Sequence, residues 1–457
     1  MKLDIIKLPN PILRAKATPI KRVTPDLKKL AQNMLETMYD ENGIGLAAPQ
    51  IGKSVRLFVT GLNQPKKDDD VIPETVIFNP EIKHKSRSRN KHSEGCLSIP
   101  KITGVVERPN AVTVIGLDLS GRKTTISAEG MYARVIQHEI DHLNGVLFTD
   151  RLVKYRVVFY GTSEFAVPAL QRLVDHPQFD VLAVVTETDK PAGRGHKLVE
   201  SPIKQLAISN NIPLLQPQSL NVNHKNHNVA NDAIDVVKTL SNLKPDFQIV
   251  ASYGKILPQS VLDLAKIASI NLHPSLLPKY RGATPIQSAI LNGDKEIGTC
   301  IMLMSAEMDA GPIFSMYKHR VSNTDTSGAV IERLARLSAI QLIITLEDIL
   351  ADKAEYWEQD ATKATFTSKI SVDDAKIDWT KNAGDIVNYI RAMSPKPGAW
   401  TVVDNIKIKI LQAKLDEKGQ TYFDQIIVPG KRAMGMSDLK NGYPKLYDFL
   451  TEMISKN

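Results

Sequence analysis

The stretch of residues 132–161 constrains the architecture most, because it carries a chemically equipped helix and then begins a different kind of structure. On a helix, His138 and His142 lie one turn apart on the same face, where two imidazoles can bind one metal ion. Glu139 follows the first histidine, so its carboxylate can reach a water beside the metal without being a ligand. An apolar strand that ends at Gly161 follows closely. We therefore predict a hydrolytic metal site followed by a second domain, and the alternative is a helix with surface histidines.

The length and composition indicate how many domains to expect and which class of protein this is. The length of 457 residues predicts three domains, since single domains usually span about 100–200 residues. Hydrophobic residues make up 42% and charged residues 24%, which is typical of a soluble globular protein without a membrane partner. The first residues lack the features of a secretory signal and Cys96 and Cys300 are expected to be free thiols, so we predict a cytoplasmic protein. The net charge of +8 mildly favours an anionic partner.

Two segments before the histidine helix are suited to ligand binding. Residues 43–50 follow a helix that should begin at Thr24-Pro25, and their glycines and small side chains let the backbone pass close to a ligand. Residues 94–98 present Cys96 directly after a glycine. Either segment alone is weak evidence, because a single cysteine is more often part of a core than a metal ligand.

Together with residues 137–142, these two segments resemble the three motifs of the peptide deformylases, and the resemblance covers residues 1–152. It implies an α+β metallohydrolase domain that removes formate from nascent N-formylmethionyl peptides. It also implies three ligands of a divalent metal, usually iron(II), with zinc, nickel or cobalt as alternatives: Cys96, His138 and His142. By the same resemblance, Glu139 acts as general base and then acid. The Gln50 side-chain amide and the Leu97 backbone N–H are assigned to the oxyanion.

The ribosome is a candidate partner of this first domain. Peptide deformylases that stand alone often continue past the histidine helix with a C-terminal extension, whereas here the chain leaves at residues 150–154. Ribosome docking through such an extension is therefore not implied. The basic run at residues 83–92 could contact ribosomal RNA phosphates or could be a solvated loop.

The chain after Arg156 alternates apolar strands with helices or turns, which predicts a doubly wound, Rossmann-like α/β sheet. The strands are expected at residues 156–161, 181–185, 247–251 and 270–273. The first turn is not G-x-G-x-x-G, so a dinucleotide cofactor has little support. Ligands of such sheets bind beyond the carboxyl ends of the strands, where Asn271 and His273 share one face. A histidine there could equally make a structural hydrogen bond.

Three segments of this second part carry a resemblance of their own. Residues 271–285 and 308–312 resemble the formyltransferases that use 10-formyltetrahydrofolate, and residues 189–198 narrow this to the methionyl-tRNA formyltransferases. The resemblance covers residues 156–457. It implies a co-substrate, 10-formyltetrahydrofolate, and a partner, initiator methionyl-tRNA.

The same resemblance assigns a catalytic trio of Asn271, His273 and Asp309. The methionyl amine attacks the formyl carbon, Asn271 donates to the growing oxyanion, and His273 moves or stabilises charge. Asp309 is expected to orient His273 and hold its cationic form.

Substrate-binding segments follow from this resemblance as well. The folate side is expected to be lined by five residues: Ser252, Tyr253, Gly254, Leu257 and Pro258. The loop that carries Lys190, Arg194 and Lys197 is expected to contact the tRNA acceptor end, with Arg194 in the leading role. The alternative for this loop is a solvated segment without a partner.

Two further segments and the domain boundaries can be predicted from the sequence. Residues 221–246 are rich in Asn and His, and we interpret them as a surface elaboration rather than a metal site. After residue 358 short strands and turns follow, and the resemblance implies a small, OB-like β-barrel that binds tRNA. The predicted domains are residues 1–154, 155–357 and 358–457.

These observations predict a bifunctional enzyme in which one domain formylates initiator methionyl-tRNA and another removes formyl groups from new peptides. In a different class of function, one half is only a docking or binding module, but complete motifs in both halves disfavour it. A further alternative is an artificial joining of two adjacent genes.

Overall fold

The computed structural model describes residues 2–62, 71–192, 197–415 and 419–456. The chain divides into two compact units. Unit 1 comprises Met1–Lys154, His176–Gln178 and Glu347–Lys353. Unit 2 comprises Tyr155–Asp175, Phe179–Leu346 and Ala354–Asn457. Within the described ranges, no helix is long and apolar enough to cross a membrane.

Unit 1 combines helices with antiparallel strands. Its helices are α1 (Pro25–Asp40) and α2 (Gly130–Leu143). Its strands are β1 (Gly45–Ala47), β2 (Leu57–Thr60), β3 (Thr75–Lys85), β4 (Arg89–Cys96), β5 (Ile99–Pro109), β6 (Ala111–Leu117) and β7 (Lys123–Glu129). Five of the strands form one sheet in the order β1-β2-β3-β6-β7, while β4 and β5 pair separately as a hairpin.

The local sequence explains both helices of unit 1. Thr24 caps α1, because its hydroxyl accepts a hydrogen bond from the Leu27 N–H and Pro25 occupies the first turn, as predicted. Helix α2 buries an apolar stripe against the sheet, and its members recur at helical spacing: Ala133, Ile136, Ile140 and Leu143. Packing of this stripe fixes the rotation of α2 and so the direction of its polar side chains.

Unit 2 begins as an alternating α/β structure. Its strands are β8 (Tyr155–Gly161), β9 (Phe179–Val185), β10 (Lys190–Ala192), β11 (Lys197–Val199), β12 (Leu214–Leu215), β13 (Phe247–Ala251), β14 (Ala268–His273), β15 (Arg281–Gly282), β16 (Glu296–Leu303), β17 (Ile313–Arg320), β18 (Phe366–Thr367), β19 (Ala399–Val403), β20 (Ile406–Leu415) and β21 (Thr421–Ile427). Its helices are α3 (Val167–Asp175), α4 (Pro202–Ser209), α5 (His227–Leu243), α6 (Gln259–Leu262), α7 (Pro285–Leu291), α8 (Ser327–Leu350), α9 (Ala383–Met393), α10 (Met436–Gly442) and α11 (Pro444–Lys456), and the residues of α8 from Glu347 onward are assigned to unit 1.

The main sheet of unit 2 confirms the predicted doubly wound α/β class. Its order is β12-β9-β8-β13-β14-β16-β17, with β12 to β14 parallel and the last two strands antiparallel. Strand β13 is buried along its whole length, as expected for a parallel strand covered on both faces. Strands β8, β13 and β14 are neighbours, so their carboxyl ends at Gly161, Ala251 and His273 lie at one edge of the sheet.

The C-terminal part of unit 2 does not confirm the predicted small barrel. Among the described residues it contains a three-stranded antiparallel sheet, β19-β20-β21. Helices α9, α10 and α11 contribute to the core beside this sheet, and Leu446 and Leu450 of α11 are both buried in it. These leucines lie four residues apart, which is a helical spacing that the sequence interpretation overlooked. Helices therefore bury apolar surface of this three-stranded sheet.

The Asn- and His-rich segment also has a simple structural explanation. Most of it forms α5, which Asn226 caps by accepting hydrogen bonds from the two backbone N–H groups that follow His227. Its apolar face is buried through Ala233 and Leu240. Within the described parts of the chain, the one cluster able to hold a metal lies elsewhere, at Cys96, His138 and His142.

Candidate active sites

The first candidate site is built on α2 and the β4–β5 hairpin. The His138 and His142 rings are 4.9 Å apart between centroids, as expected for residues one helical turn apart. Cys96 ends β4, and a β-bulge at Gly95/Cys96 and the turn through Leu97 direct its thiol toward α2. The Cys96 Sγ lies 3.3 Å from the His142 Nε2.

The three predicted ligands come together as one donor set. One ligand atom from each of Cys96, His138 and His142 lies within 4.8 Å of the others. Burial lowers the pKa of His142 well below its ordinary value and keeps its imidazole neutral, the form that binds metals. A thiolate with two imidazoles is a donor set for a borderline divalent metal. The residues present therefore fit the metal that the sequence implied.

The orientation of His138 is fixed by a residue outside the donor set. The His138 Nδ1 lies 3.0 Å from the Glu94 Oε2, so this nitrogen carries the proton of the hydrogen bond and Nε2 is left for a metal. Burial lowers the pKa of His138, but contacts with Cys96 and Glu94 outweigh it and raise that pKa to about 10. A divalent cation bound here would displace a proton from the His138 imidazole.

Glu94 belongs to a buried network of charges. Two nitrogens of Arg108 donate to its carboxylate at 2.6 and 2.9 Å, and Arg134 donates at 2.5 Å. Arg108 also donates to Asp141 at 2.8 Å, and Asp141 in turn accepts from Arg151 at 2.7 Å. Burial raises the pKa of Glu94, but the hydrogen bonds from Arg108 and His138 outweigh it and hold that pKa far below its ordinary range.

Glu139 lies beside the donor set and, unlike Glu94, is not paired with an arginine of the described chain. It is 3% exposed, and its Oε2 has no hydrogen-bond partner among the described residues. Burial raises the pKa of Glu139 to about 7, which is the range where a carboxyl group can both take and return a proton near neutral pH. Gly45 makes room for it, because a Cβ on Gly45 would lie 2.4 Å from the Glu139 Oε1.

Gln50 is held with its amide nitrogen toward the donor set. Its Oε1 accepts from the Ala47 N–H at 2.8 Å, and its Nε2 lies 3.4 Å from the Cys96 Sγ. Leu97, whose N–H was predicted to assist Gln50, directly follows Cys96 in the hairpin turn. Both predicted oxyanion donors are therefore close to Cys96.

The second candidate site lies at the carboxyl edge of the main sheet of unit 2. Asn271 and His273 are alternate residues of β14 and are both buried. Asp309 reaches them from the loop after β16, with a left-handed φ of +51°. Its Oδ1 accepts from the Asn271 Nδ2 at 3.2 Å, and its Oδ2 lies 3.6 Å from the His273 Nδ1. The structure thus brings the predicted trio together.

The hydrogen bond that orients His273 was not foreseen. The His273 Nε2 donates to the backbone carbonyl of Tyr280 at 2.9 Å, which assigns the proton to this nitrogen because a carbonyl can only accept. The Nδ1 faces Asp309 beyond hydrogen-bond distance. Asp309 instead accepts from the Gly282 N–H at 2.8 Å.

The predicted folate segment borders this edge of the sheet. Ser252 has a left-handed φ of +50°, and its hydroxyl accepts from Ser163 at 2.7 Å. The Tyr253 ring packs 5.8 Å from that of Tyr160, and its buried hydroxyl has no partner in the described part of the chain. Burial raises the pKa of Tyr253. Leu257 is buried in the adjoining core, and Pro258 occupies the N-cap position of α6. Gly254 lies so close to Glu187 that a Cβ on Gly254 would be 2.2 Å from the Glu187 Oε1.

The predicted tRNA loop is described only in part. Strands β10 and β11 pair at its base, with Ala192 opposite Lys197, and exposed Lys190 forms an ion pair with Glu187. Arg194 lies outside the described residues, as does the side chain of Lys197.

The sequence interpretation gave no role to Glu94, Arg108 or the Tyr280 carbonyl. Glu94 stood inside a quoted motif two residues before Cys96, a spacing that predicts a shared strand face and was therefore a usable signal. Arg108 has no comparable signal, because its partners come from β4 and α2. A backbone carbonyl cannot be identified from residue type at all.

The comparisons with known proteins agree with the order of these sites. The family model for polypeptide deformylase matches residues 2–157. The model for formyl transferase matches residues 154–346, and the model for the formyl transferase C-terminal domain matches residues 369–436.

Individual relatives extend this result. A methionyl-tRNA formyltransferase of Legionella pneumophila subsp. pneumophila (strain Philadelphia 1) is 42% identical over 272 residues, which cover 60% of this chain and 83% of that protein. One from Pseudomonas fluorescens (strain Pf-5) is 38% identical over 307 residues, covering 63% and 92%. The crystal structure of a peptide deformylase from Legionella pneumophila is 43% identical, with a TM-score of 0.31, and covers 33% of this chain and 86% of that one. The chain therefore belongs to the methionyl-tRNA formyltransferase family and carries a polypeptide deformylase domain on its N-terminal side.

Proposed function

We propose that this protein is a bifunctional enzyme that formylates initiator methionyl-tRNA and removes formyl groups from N-formylmethionyl peptides. The observation that carries the proposal is that each unit contains its own complete set of reactive groups. Unit 1 joins a Cys-His-His donor set to a buried carboxyl group, and unit 2 joins Asn271, His273 and Asp309. A role of either half as a mere docking module is not favoured, since both family matches and both sets are present.

In unit 1, Cys96, His138 and His142 would hold a divalent metal, with iron(II) as our first choice and zinc, nickel or cobalt as alternatives. When bound, such a metal acts as a Lewis acid toward water and the formyl carbonyl. Glu139 takes a proton from the attacking water and returns it to the departing amine, for which its raised pKa is suited. The amides of Gln50 and Leu97 donate to the oxyanion.

In unit 2, the methionyl amine forms a bond to the formyl carbon of 10-formyltetrahydrofolate, and the bond from this carbon to N10 breaks. The second N–H of the Asn271 amide is available to the oxyanion, because only one is used on Asp309. The proton lost by the amine passes to N10 of the leaving folate. His273, held by the Tyr280 carbonyl, stabilises the charge that develops during this transfer.

We also propose which segments bind the folate and the tRNA, and where in the cell the protein acts. Residues Ser252 to Pro258 line the folate side, and Lys190, Arg194 and Lys197 contact the acceptor end of the tRNA. Residues 358–457, predicted as an OB-like barrel, assist by binding tRNA. We divide the chain into domains at residues 1–154, 155–357 and 358–457, and we place it in the cytoplasm, where its two substrates meet the ribosome.

The proposal is tested by giving the purified full chain both substrates in separate assays. We expect formate release from an N-formylmethionyl peptide and formylation of methionyl-tRNA with 10-formyltetrahydrofolate. His142→Ala should lose bound metal, measured by elemental analysis, together with formate release only. A wild-type chain that lacks either activity would contradict the proposal. The mass of the native protein in cell extract checks that both halves occur in one polypeptide.

A further inference from the structure

The connector at residues 354–368 has no assigned role. The formyl transferase model ends at residue 346 and the C-terminal model begins at residue 369, so the connector lies between the two matches. It nevertheless runs beside both loops that surround Asp309. Its contacts centre on one side chain, Gln359.

Gln359 bonds directly to the loop that carries Asp309. Its Nε2 donates to the backbone carbonyls of Asp309 and Gly311, both at 2.8 Å. Both hydrogens of the amide are therefore used on this one loop. Asp309 has a left-handed φ, which residues other than glycine seldom adopt, and the two bonds from Gln359 help to hold its backbone there.

The other end of the same amide holds the neighbouring loop. The Gln359 Oε1 accepts from Arg281 at 3.2 Å from Nε and 2.9 Å from Nη2, and the Arg281 side chain is buried. The next residue, Gly282, donates its N–H to the Asp309 Oδ2. Asp309, Gln359, Arg281 and Gly282 thus form a closed ring around the carboxylate that contacts Asn271 and His273.

The connector itself is held on both sides of Gln359. Trp357 and Ile313 exchange two backbone hydrogen bonds of 2.9 and 3.1 Å. On the other side, β15 pairs with β18, and the Arg281 N–H donates to the Thr365 carbonyl at 2.8 Å. Gly282 could not carry a side chain here, because a Cβ would lie 2.4 Å from the Thr367 carbonyl oxygen. Gln359 is therefore presented from a fixed backbone.

We propose that Gln359 is a positioning residue for formyl transfer, acting through Asp309. The connector is then part of the active site and not only a tether to the C-terminal region. This inference rests on the proposed formyltransferase function. It gives Gln359 no contact with either substrate, so its loss should lower kcat and leave the KM for methionyl-tRNA and for the folate unchanged.

Two substitutions separate the donor and acceptor roles of this amide. Gln359→Met keeps the length of the side chain and removes every hydrogen bond. Gln359→Glu keeps an acceptor for Arg281 but presents an oxygen, not a donor, to the Asp309 and Gly311 carbonyls. Lys363→Ala is the matched control, since Lys363 lies on the same connector, is exposed, and forms its one ion pair among the described residues with Asp360.

The experiment measures formylation kinetics for the full-length variants. We expect both Gln359 variants to lower kcat roughly 10- to 100-fold with both KM values within about 2-fold, because small misplacements of catalytic groups cost up to about 100-fold. Lys363→Ala should match the wild type. Folding is followed by tryptophan fluorescence, because Trp357, Trp379 and Trp400 all belong to unit 2.

A double-mutant cycle decides whether Gln359 acts through Asp309. In an Asp309→Asn background, followed by single turnover, Gln359→Met should change the rate by less than about 2-fold. The proposal is overturned if the full loss persists in that background, if kcat is unaffected, or if the loss appears in KM alone. A wild-type chain without formylation would instead refute the proposed function on which this inference rests.

Discussion

The two candidate sites hold their reactive groups by different means. In unit 1, His138 is oriented by the ionised side chain of Glu94, which is buried and paired with Arg108 and Arg134. In unit 2, the hydrogen bonds to the Asp309 carboxylate come from neutral donors, namely the Asn271 amide and the Gly282 N–H. The first site therefore depends on buried ion pairs, and the second depends on hydrogen bonds from neutral side-chain and backbone groups.

The backbone conformations show the same difference. The donor set of unit 1 comes from a regular helix and a hairpin, α2 and β4–β5. Around the site of unit 2, three residues other than glycine have left-handed φ values: Ser252 at +50°, Asp309 at +51° and Tyr280 at +63°. A site of the first kind should be most sensitive to loss of charge, and one of the second kind to loss of a particular hydrogen bond.

The largest effect is expected from substitution of Glu139, which removes one buried carboxyl group from the site of unit 1 and leaves the site of unit 2 unchanged. Glu139→Ala should lower formate release by about 10²- to 10⁴-fold, the contribution of a general acid–base group. Bound metal, measured by elemental analysis, should be retained because the three ligands remain. Metal loss as large as that of His138→Ala would show that Glu139 is a ligand and that its assigned role is wrong.

Glu94→Gln tests whether unit 1 depends on buried charge. It leaves Arg108 and Arg134 buried without their shared carboxylate, so it should cost about 3–5 kcal/mol in the stability of unit 1. The opening free energy of α2, measured by hydrogen exchange, reports this cost.

The pH dependence of that cost has a definite sign. The folded-state pKa of Glu94 is lowered, so its stabilisation is fully present above the ordinary pKa of a glutamate and is lost as the pH falls toward the folded value. The difference between Glu94→Gln and the wild type should therefore shrink in acid. A difference that is independent of pH would mean that Glu94 acts through packing.

Asn271→Ala makes the matching test in unit 2. Loss of an oxyanion donor should lower kcat for formylation by about 10²- to 10³-fold. The stability of unit 2 should change little. Asp309 loses the hydrogen bond from Asn271 but keeps the one from the Gly282 N–H. Unfolding followed by tryptophan fluorescence serves as the control. A stability loss as large as that of Glu94→Gln would erase the contrast between the two sites.

The smallest effect is expected at Arg194. A single arginine contact to tRNA should contribute about 1–3 kcal/mol to kcat/KM for methionyl-tRNA, and Arg194→Ala should lose that amount with folate binding unchanged. Steady-state kinetics at physiological salt measure it. Unchanged kinetics would remove the acceptor-end assignment from this loop.

The parts that the sequence predicted well are local or carried by side chains. The two histidines one turn apart, the cysteine after a glycine and the alternating strands of unit 2 all depend on short spacings. The same is true of the helix start at Thr24, where the cap and the proline are adjacent.

The parts that were missed depend on tertiary contacts or on backbone atoms. Arg108 meets Asp141 across 33 positions of sequence, and the Tyr280 carbonyl and the Gln359 amide act at sites formed only after folding. The resemblance implied a small C-terminal barrel, and the sequence interpretation did not include α10 and α11, which supply further core residues. The apolar spacing of these two helices was present in the sequence, so they could have been predicted.

The central claim is that one chain carries two independent active sites. It is tested most directly by measuring both activities on the same preparations of the wild type, Glu139→Ala and Asn271→Ala. We predict that the wild type has both activities, that Glu139→Ala loses only formate release, and that Asn271→Ala loses only formylation. Loss of both activities in either variant, with the fold intact by hydrogen exchange, would contradict the account.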